Sequence, residues 1–104
     1  MTYLEELRDV IRRLHGAGAE HVESVPVKET FQGKTVWEGI VEVFSLAGHA
    51  TASRVYAWSH ETDDPDKPRR HVTVLHGHPI ASARDAVRAA IVQEFRTREQ
   101  AEEV

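Results

Sequence analysis

The sequence contains no cysteine among its 104 residues. This absence excludes disulfide bonds, thiolate nucleophiles and metal sites built from thiolates. No stretch approaches the roughly 20 consecutive apolar residues that a membrane-spanning helix requires. The first residues include Thr2, Glu5 and Glu6, whereas a secretory signal peptide would begin basic and continue apolar. We therefore expect a cytoplasmic protein with no membrane contact.

A surplus of basic side chains is also lacking, because the formal net charge is −4 at pH 7. Proteins that bind nucleic acids need a basic surface to neutralise phosphates, and anionic membranes attract basic segments. The charge argues against both partners. Only a local patch formed by Arg54, Arg69 and Arg70 would favour nucleic acid.

The remaining composition is that of an ordinary globular protein, with 40% hydrophobic and 29% charged residues. The length predicts one domain over residues 1–104. Frequent arginine and alanine are typical of a GC-rich bacterial gene. The chain carries no G-x-S-x-G, phosphate-loop, H-E-x-x-H or dinucleotide-binding motif. We therefore expect no cofactor, and the sequence does not decide whether the protein is an enzyme.

Hydrophobic periodicity predicts an α+β domain with an antiparallel sheet of about four strands in the order α-β-β-β-β-α. Thr2 and Glu5 form a capping-box pattern before the first helix, and Gly16 ends that helix. The predicted strands and second helix are Val22–Phe31, Thr35–Leu46, Thr51–His60, His71–His76 and Ser82–Arg98. Pro26 cannot donate a ladder hydrogen bond, which indicates an edge or bulged first strand.

Hairpin register decides which side chains share a face of the sheet. Two-residue turns at Gln32-Gly33 and Gly48-His49 would place these residues together on one face: Trp37, Val41, Val43, Arg54, Tyr56, Trp58 and His60. Gly39 would then pair with Trp58, whose ring would cover the glycine. The opposite face would be aliphatic, with Val25, Val27, Val36, Ile40, Phe44, Leu46 and Val55. We expect both helices to pack on this aliphatic face.

The aromatic face would then lack a cover. Its three aromatic side chains alone would present roughly 450–750 Å², whereas monomers rarely expose a patch above roughly 300–600 Å². This imbalance predicts a non-catalytic interaction module that self-associates through this sheet face as a homodimer. The first alternative is a small-ligand-binding protein or small enzyme, with a shallow pocket lined by Trp37, Arg54, Tyr56 and His60. In a second alternative the aromatic face is the helix-facing core, and the aliphatic face is left uncovered.

Seven histidines are the most prominent polar feature of the sequence. His76 and His78 have the spacing that puts two imidazoles on one side of an extended strand, and imidazole binds zinc, copper, iron or nickel. A third ligand such as His71, His60 or a carboxylate would be needed. The H-x-H pattern alone is a weak signal, so we expect no resident metal.

Two groups of carboxylates are candidate functional sites. The acidic residues between the third and fourth strands are Glu61, Asp63, Asp64 and Asp66. They lack the glycine and distal glutamate of a calcium loop, so we expect a solvated hairpin loop. Glu38 and Glu42 lie on the predicted aliphatic face, where burial could perturb a carboxylate, but no motif assigns them chemistry.

Overall fold

A computed structural model describes residues 2–62, 65–66 and 68–102, with side chains described as far as Glu94. The elements are α1 (Tyr3–His15), β1 (Gly18–Phe31), β2 (Lys34–Ala47), β3 (Arg54–Glu61), β4 (Arg69–Leu75) and α2 (Ala83–Glu102). The strands form one antiparallel sheet in the order β1-β2-β3-β4, which confirms the α+β class and the predicted element order. No helix in these described ranges combines the length and apolar character needed to cross a bilayer.

The predicted capping box at the start of α1 is present. The Thr2 hydroxyl accepts the backbone N–H of Glu5, and the Glu5 carboxylate accepts the backbone N–H of Thr2, both at 3.2 Å. Gly16 ends the helix in the left-handed conformation, with a φ of 65°, and donates its N–H to the carbonyl of Arg12. Both ends of α1 are therefore fixed by local hydrogen bonds.

The β1–β2 hairpin closes through the predicted two-residue turn, with Phe31 paired to Lys34. Gln32 and Gly33 have φ values of 51° and 78°, as a type I′ turn requires. Glycine adopts a positive φ at little cost, so Gly33 favours this turn. The twist of a type I′ turn matches the right-handed twist of the two strands.

A bulge near this turn overturns the predicted faces of β1. Val36 is an extra residue in β2, because Glu29 pairs with Trp37 where an unbroken hairpin would pair it with Val36. A slip of one residue moves the side chains of a strand to the other face. Val25 and Val27 consequently lie on the aromatic face, and their predicted place on the aliphatic face was wrong.

The connection between β2 and β3 is longer than the two residues predicted. Val43 pairs with Tyr56 rather than with Arg54, a shift of two residues that leaves each side chain on its predicted face. The loop over residues 48–53 is held by His49, whose Nδ1 accepts two backbone N–H groups of the loop. Because of this loop, β3 begins at Arg54 rather than at the predicted Thr51.

The two helices pack on opposite faces of the sheet, so the prediction that both cover the aliphatic face was wrong. The aromatic-face core comprises Val27, Val41, Val43, Tyr56, Trp58, Ala83, Ala86 and Val87, the last three from α2. The other core comprises Leu7, Ile11, Phe44, Val55 and Ala57, the first two from α1. Small residues let α2 approach the large aromatic side chains closely, and burial of both faces gives three layers.

The outer half of the β1–β2 hairpin extends beyond the part of the sheet that α1 covers. β2 pairs with β3 only from Glu42 to Ser45. Beyond this ladder, the N–H of Ser59 donates to the Tyr3 hydroxyl at 3.0 Å. Ile40, on the same face of β2 as the fully buried Phe44, is consequently 50% exposed.

Candidate functional site

The predicted aromatic interface is part of the hydrophobic core of the single chain. Val41, Val43, Tyr56 and Trp58 are buried in the cluster that α2 completes, with Trp58 only 2% exposed. Trp37 is half-buried and meets Trp58 edge to face, with 5.6 Å between ring centroids. The apolar area of this face is therefore covered by α2, as the second alternative drawn from the sequence predicted. The other half of that alternative, an uncovered aliphatic face, was wrong, because α1 packs on it.

Gly39 is covered by a tryptophan ring, but by that of Trp37 rather than the predicted Trp58. A Cβ placed on Gly39 would lie 3.1 Å from Cη2 of Trp37, closer than side chains normally approach. The ring can fold back along its own strand because residues two apart lie on one face. The absence of a side chain at Gly39 thus leaves space for Trp37.

The polar members of the predicted pocket do not surround one opening. Arg54 and His60 lie at opposite ends of β3, six residues or about 20 Å apart. Arg54 is exposed, while Nε2 of His60 lies 3.8 Å from the carboxylate of Glu94 on α2. Tyr56, between them, is buried under α2. The structure does not bring these side chains together as a ligand-binding set.

Tyr56 instead pairs with a histidine from beyond β4. Its hydroxyl lies 2.8 Å from Nδ1 of His76. Burial is the main cause that raises the pKa of the Tyr56 phenol. The positive charge of Arg54 opposes this effect, and the negative charges of Asp85 and Glu23 add to it. The phenol is therefore neutral near pH 7 and serves as a buried hydrogen-bonding group.

The H-x-H pattern does not form part of a metal site in the described structure. Nδ1 of His76 is occupied by Tyr56, and His78 is exposed in the following turn. No group of three or more histidine, aspartate or glutamate side chains within residues 2–62, 65–66 and 68–94 could hold a metal ion. Asp63 and Asp64, from the predicted acidic loop, lie outside the described residues.

A buried carboxylate cluster on the α1 side of the sheet has no sequence motif. Glu42 is 7% exposed, accepts a short hydrogen bond from the Ser24 hydroxyl, and lies 3.2 Å from Nε2 of His21. His21 and Ser24 share a face only because Val22 is an extra, bulged residue between them. Regular alternation would place them on opposite faces, so the sequence pattern could not reveal the cluster.

The geometry of this cluster does not match a serine–histidine–acid relay. In such a relay the acid binds one ring nitrogen and the serine binds the other. Here Nε2 of His21 faces both Glu42, at 3.2 Å, and Ser24, at 3.4 Å. The Ser24 hydroxyl donates to the carboxylate, so its proton is not directed to a histidine base. The cluster satisfies the buried charge of Glu42 instead.

A second buried carboxylate attaches α2 to β1. Glu29 accepts hydrogen bonds from Arg84, at 3.2 Å, and Arg88, at 2.9 Å. Arg84 also reaches the carbonyl of Lys28. Two arginines one helical turn apart thus fix the first half of α2 over the β1 side of the sheet.

The outer edge of β4 carries backbone groups that point away from β3. His76 donates its N–H to Arg54, and Thr62 donates to the carbonyl of Pro68. Antiparallel pairing alternates, so the even-numbered residues of β4 bond to β3 and the odd-numbered ones face outward. The outward N–H and C=O groups belong to Arg69, His71, Thr73 and Leu75. β4 ends the sheet, so these groups have no neighbouring strand among the residues that the structure describes.

Grooves border this edge on both faces of the sheet. The groove on the α1 side has a volume of 410 Å³ and is lined by Val10, Arg13, Leu14, Thr62, Arg69, Arg70 and His71. The groove on the α2 side has a volume of 490 Å³, and its apolar lining comes from Val72, Val74, Ala89 and Ala90. Leu14 is 63% exposed although it lies on the sheet-facing side of α1. Apolar surface is thus available on either side of the β4 edge.

The opposite edge of the sheet is protected against strand addition. In β1, Pro26 lacks an N–H, Val22 forms a bulge, and the exposed Glu20 and Lys28 add charge. β4 has no proline, and its pairing with β3 has no register shift from Arg69 to Leu75. The structure therefore contains one blunted edge and one regular edge.

The chain matches no protein-family model, no curated protein and no solved structure. Its functional interpretation therefore rests on the chemistry of the surfaces described above.

Proposed function

We propose that this protein is a non-catalytic interaction module that accepts an extended polypeptide strand at the free edge of β4. The observation that carries the proposal is the regular edge with its outward-facing hydrogen-bonding groups and apolar grooves on both faces. An added strand would satisfy those groups. Its alternating side chains would enter the two grooves in turn.

The buried polar clusters support a binding role better than a catalytic one. Glu29 holds α2 on the sheet, and Glu42 is satisfied by Ser24 and His21. Tyr56 is a neutral, buried phenol bonded to His76. Each cluster thus has a structural role in the described part of the chain, and none presents an activated group to a groove.

The groove on the α1 side favours an acidic residue at the end of the added strand. Arg13, Arg69 and Arg70 line it beside the apolar Val10 and Leu14. Guanidinium groups bind carboxylates through paired hydrogen bonds. A strand of alternating valine and threonine with a terminal aspartate therefore has the required chemistry.

Amide NMR tests this proposal with such a peptide, blocked at both ends. If the edge of β4 is free, the peptide should shift the amide signals of His71, Thr73 and Leu75. If a strand already occupies the edge, these amides should be protected from exchange before the peptide is added. The amides of β1 serve as the internal control and should not respond. Rapid exchange of the three outward amides, without any peptide-induced shift, would refute strand addition at β4.

A proline substitution sharpens the same test. Thr73→Pro removes one outward-facing N–H but no hydrogen bond to β3, because the backbone groups of residue 73 face away from β3. It also removes the hydroxyl that lies 2.8 Å from Nε2 of His15, so Thr73→Val, which loses only that hydroxyl, is its control. The variant should lose peptide binding or protection while keeping its circular dichroism spectrum. A paired comparison of Leu14→Asp with Ile40→Asp isolates the groove. Both residues are exposed and apolar, but only Leu14 lies beside β4.

A further inference from the structure

We infer that the groove on the α1 side of β4 is a binding site for a phosphate monoester that carries an apolar group. The lining residues that α1 and β4 contribute to this groove are Val10, Arg13, Leu14, Arg69, Arg70 and His71. Such a site goes beyond strand addition, because the groove can hold the phosphate group whether it is free or carried on an added strand. Only the strand-borne form rests on the proposed function.

The ionisable side chains that line this groove are all basic. No carboxylate is among the lining residues, and the basic ones are Arg13, Arg69, Arg70 and His71. This concentration contrasts with the whole chain, whose formal net charge is −4. The α2-side groove, in comparison, contains the carboxylate of Glu94. The electrostatic potential of the α1-side groove therefore favours an anion.

Two of these arginines lack a carboxylate partner. Arg13 and Arg70 form no ion pair with another of the residues that the structure describes. Arg84 and Arg88 of α2 show the alternative arrangement, because the buried Glu29 accepts hydrogen bonds from both. An arginine without a carboxylate keeps its fork of donors available for an external anion.

Arg69 is held in place before any ligand binds. Its Nε donates to the Ser59 hydroxyl at 3.2 Å, and its guanidinium carbon lies 5.9 Å from the centre of the Tyr3 ring. Ser59 belongs to β3 and Tyr3 to α1, so these contacts orient the guanidinium between the helix and the sheet. A side chain that is already ordered loses less conformational entropy when it binds an anion.

His71 adds an imidazole nitrogen that has no partner. Its Nε2 is shielded from water and forms no hydrogen bond with the residues that the structure describes. The large majority of buried polar side-chain atoms in proteins have a hydrogen-bond partner. An orphaned nitrogen at the border of a basic groove is therefore a second indication of an anionic ligand, whose oxygen would supply the missing partner.

The number of donors favours a phosphate monoester over a carboxylate. One guanidinium is sufficient to bind both oxygens of a carboxylate. A phosphate monoester has three acceptor oxygens and a charge of about −1.5 to −2 near pH 7, so it can bind several guanidinium groups at once. The phosphates of nucleic acids are diesters, and the net negative charge of this chain disfavours an extended polyanion.

Apolar side chains in the groove indicate what the phosphate is attached to. Leu14 is largely exposed, and Val10 also lines the groove. The volume of 410 Å³ lies within the range of roughly 300–1,000 Å³ that small-molecule sites have. A phenyl ring has the size and chemistry to cover Leu14 while its phosphate contacts the arginines.

Phenyl phosphate is therefore the probe, and benzoate is its matched carboxylate. Two-dimensional NMR of the full chain, at pH 7 and constant ionic strength, measures both affinities. Phenyl phosphate should shift the signals of Arg13 and His71, and it should bind at least about tenfold more tightly than benzoate. Equal affinities, or no shift at about 10 mM phenyl phosphate, would overturn the phosphate site.

Neutral substitutions locate the bound probe. Arg13→Gln should weaken the binding of phenyl phosphate by about fivefold or more, and Arg70→Gln by a similar factor. Arg12→Gln is the matched control, because Arg12 is also exposed on α1 but lines a different groove with Glu5 and Asp9. Glutamine and arginine have similar helix propensities, and circular dichroism checks the fold. Equal losses for Arg12→Gln and Arg13→Gln would indicate nonspecific attraction and refute the site.

Peptides distinguish a free phosphate ester from one carried on a strand. The peptide of alternating valine and threonine now ends in phosphotyrosine in place of aspartate. If the phosphate is strand-borne, this peptide should bind more tightly than phenyl phosphate and the aspartate peptide, and it should shift the amides of Thr73 and Leu75. If it binds no more tightly than phenyl phosphate and these amides exchange freely, the phosphate site stands and strand addition fails. If the aspartate peptide shifts these amides but phenyl phosphate does not bind, strand addition stands and the phosphate site is refuted.

Discussion

The opposite placement of the two helices predicts unequal costs for two substitutions on the same face of β2. Phe44 is fully buried in the core that α1 completes, together with Leu7, Ile11 and Val55. Phe44→Ala would leave a cavity between α1 and the sheet, and it should cost about 3–5 kcal/mol of unfolding free energy. That loss is a large share of the roughly 5–15 kcal/mol expected for a domain.

Ile40 is the matched control because it lies four residues away on the same strand and face. It is 50% exposed and absent from both buried core clusters. Ile40→Ala removes less buried area and leaves no enclosed cavity, so it should cost about 1 kcal/mol or less. If both helices covered this face, as the sequence predicted, both side chains would be buried. The two substitutions would then lower the unfolding free energy by similar amounts.

Urea unfolding followed by tryptophan fluorescence measures both variants, since Trp58 is buried and Trp37 half-buried. Linear extrapolation at equal m-values gives the difference in unfolding free energy. The reasoning fails if Ile40→Ala destabilises as strongly as Phe44→Ala. Repeating the measurement across a range of protein concentrations tells whether an intermolecular contact covers Ile40.

Three further predictions concern local contacts. Tyr3→Phe removes the acceptor of the Ser59 N–H and should accelerate exchange of that amide, at a cost of about 1 kcal/mol or less; unchanged exchange would contradict the contact. Burial, and to a smaller extent the charge of His49, lowers the pKa of His15 below its ordinary value near 6.5. Just below pH 6.5 the unfolded chain therefore binds more protons than the folded chain does. Stability should be fully present above that pH and fall as the pH drops through the window below it, and His15→Gln should flatten this part of a urea-midpoint profile. Gly33→Val forces a β-branched residue into a φ of 78° and should cost about 1–3 kcal/mol, whereas Gly18→Ala, at a position with open space and ordinary φ, serves as its control.

Local signals in the sequence predicted the elements and several of their ends. The capping box at Thr2, the left-handed stop at Gly16 and the turn at Gly33 depend only on neighbouring residues, and all three are confirmed. Pro26 indicated an edge strand, and β1 is an edge. Such features are readable because their energetics are decided within one turn of chain.

The side of the sheet that each helix covers was not readable in the same way. An amphipathic helix reveals that it has an apolar face, but not which of two apolar sheet faces it meets. The bulge at Val36 moved both Val25 and Val27 to the opposite face from the one predicted. No feature of the composition marks a single extra residue in a strand. One slip therefore changed the inferred composition of both cores.

The candidate site at the β4 edge could not be predicted from the sequence, for a related reason. The outward direction of His71 and Thr73 follows from the hydrogen-bond parity between β3 and β4 together with the strand order. Neither property is encoded by residue type. The exposed Leu14 likewise looks like an ordinary member of the α1 apolar face in the sequence, and only its position beside β4 distinguishes it.

The uncovered part of the sheet is consequently its edges rather than its faces. Once α1 and α2 cover opposite faces, an open four-stranded sheet still presents two rows of backbone groups. A regular exposed edge invites association, and proteins commonly blunt it with proline, bulges or charge. This chain does so in β1 with Pro26, whereas the charged residues of β4 are confined to the arginines at one end. Val72, Thr73, Val74 and Leu75 follow those arginines without a charge, so most of the β4 edge lacks the features that deter an added strand.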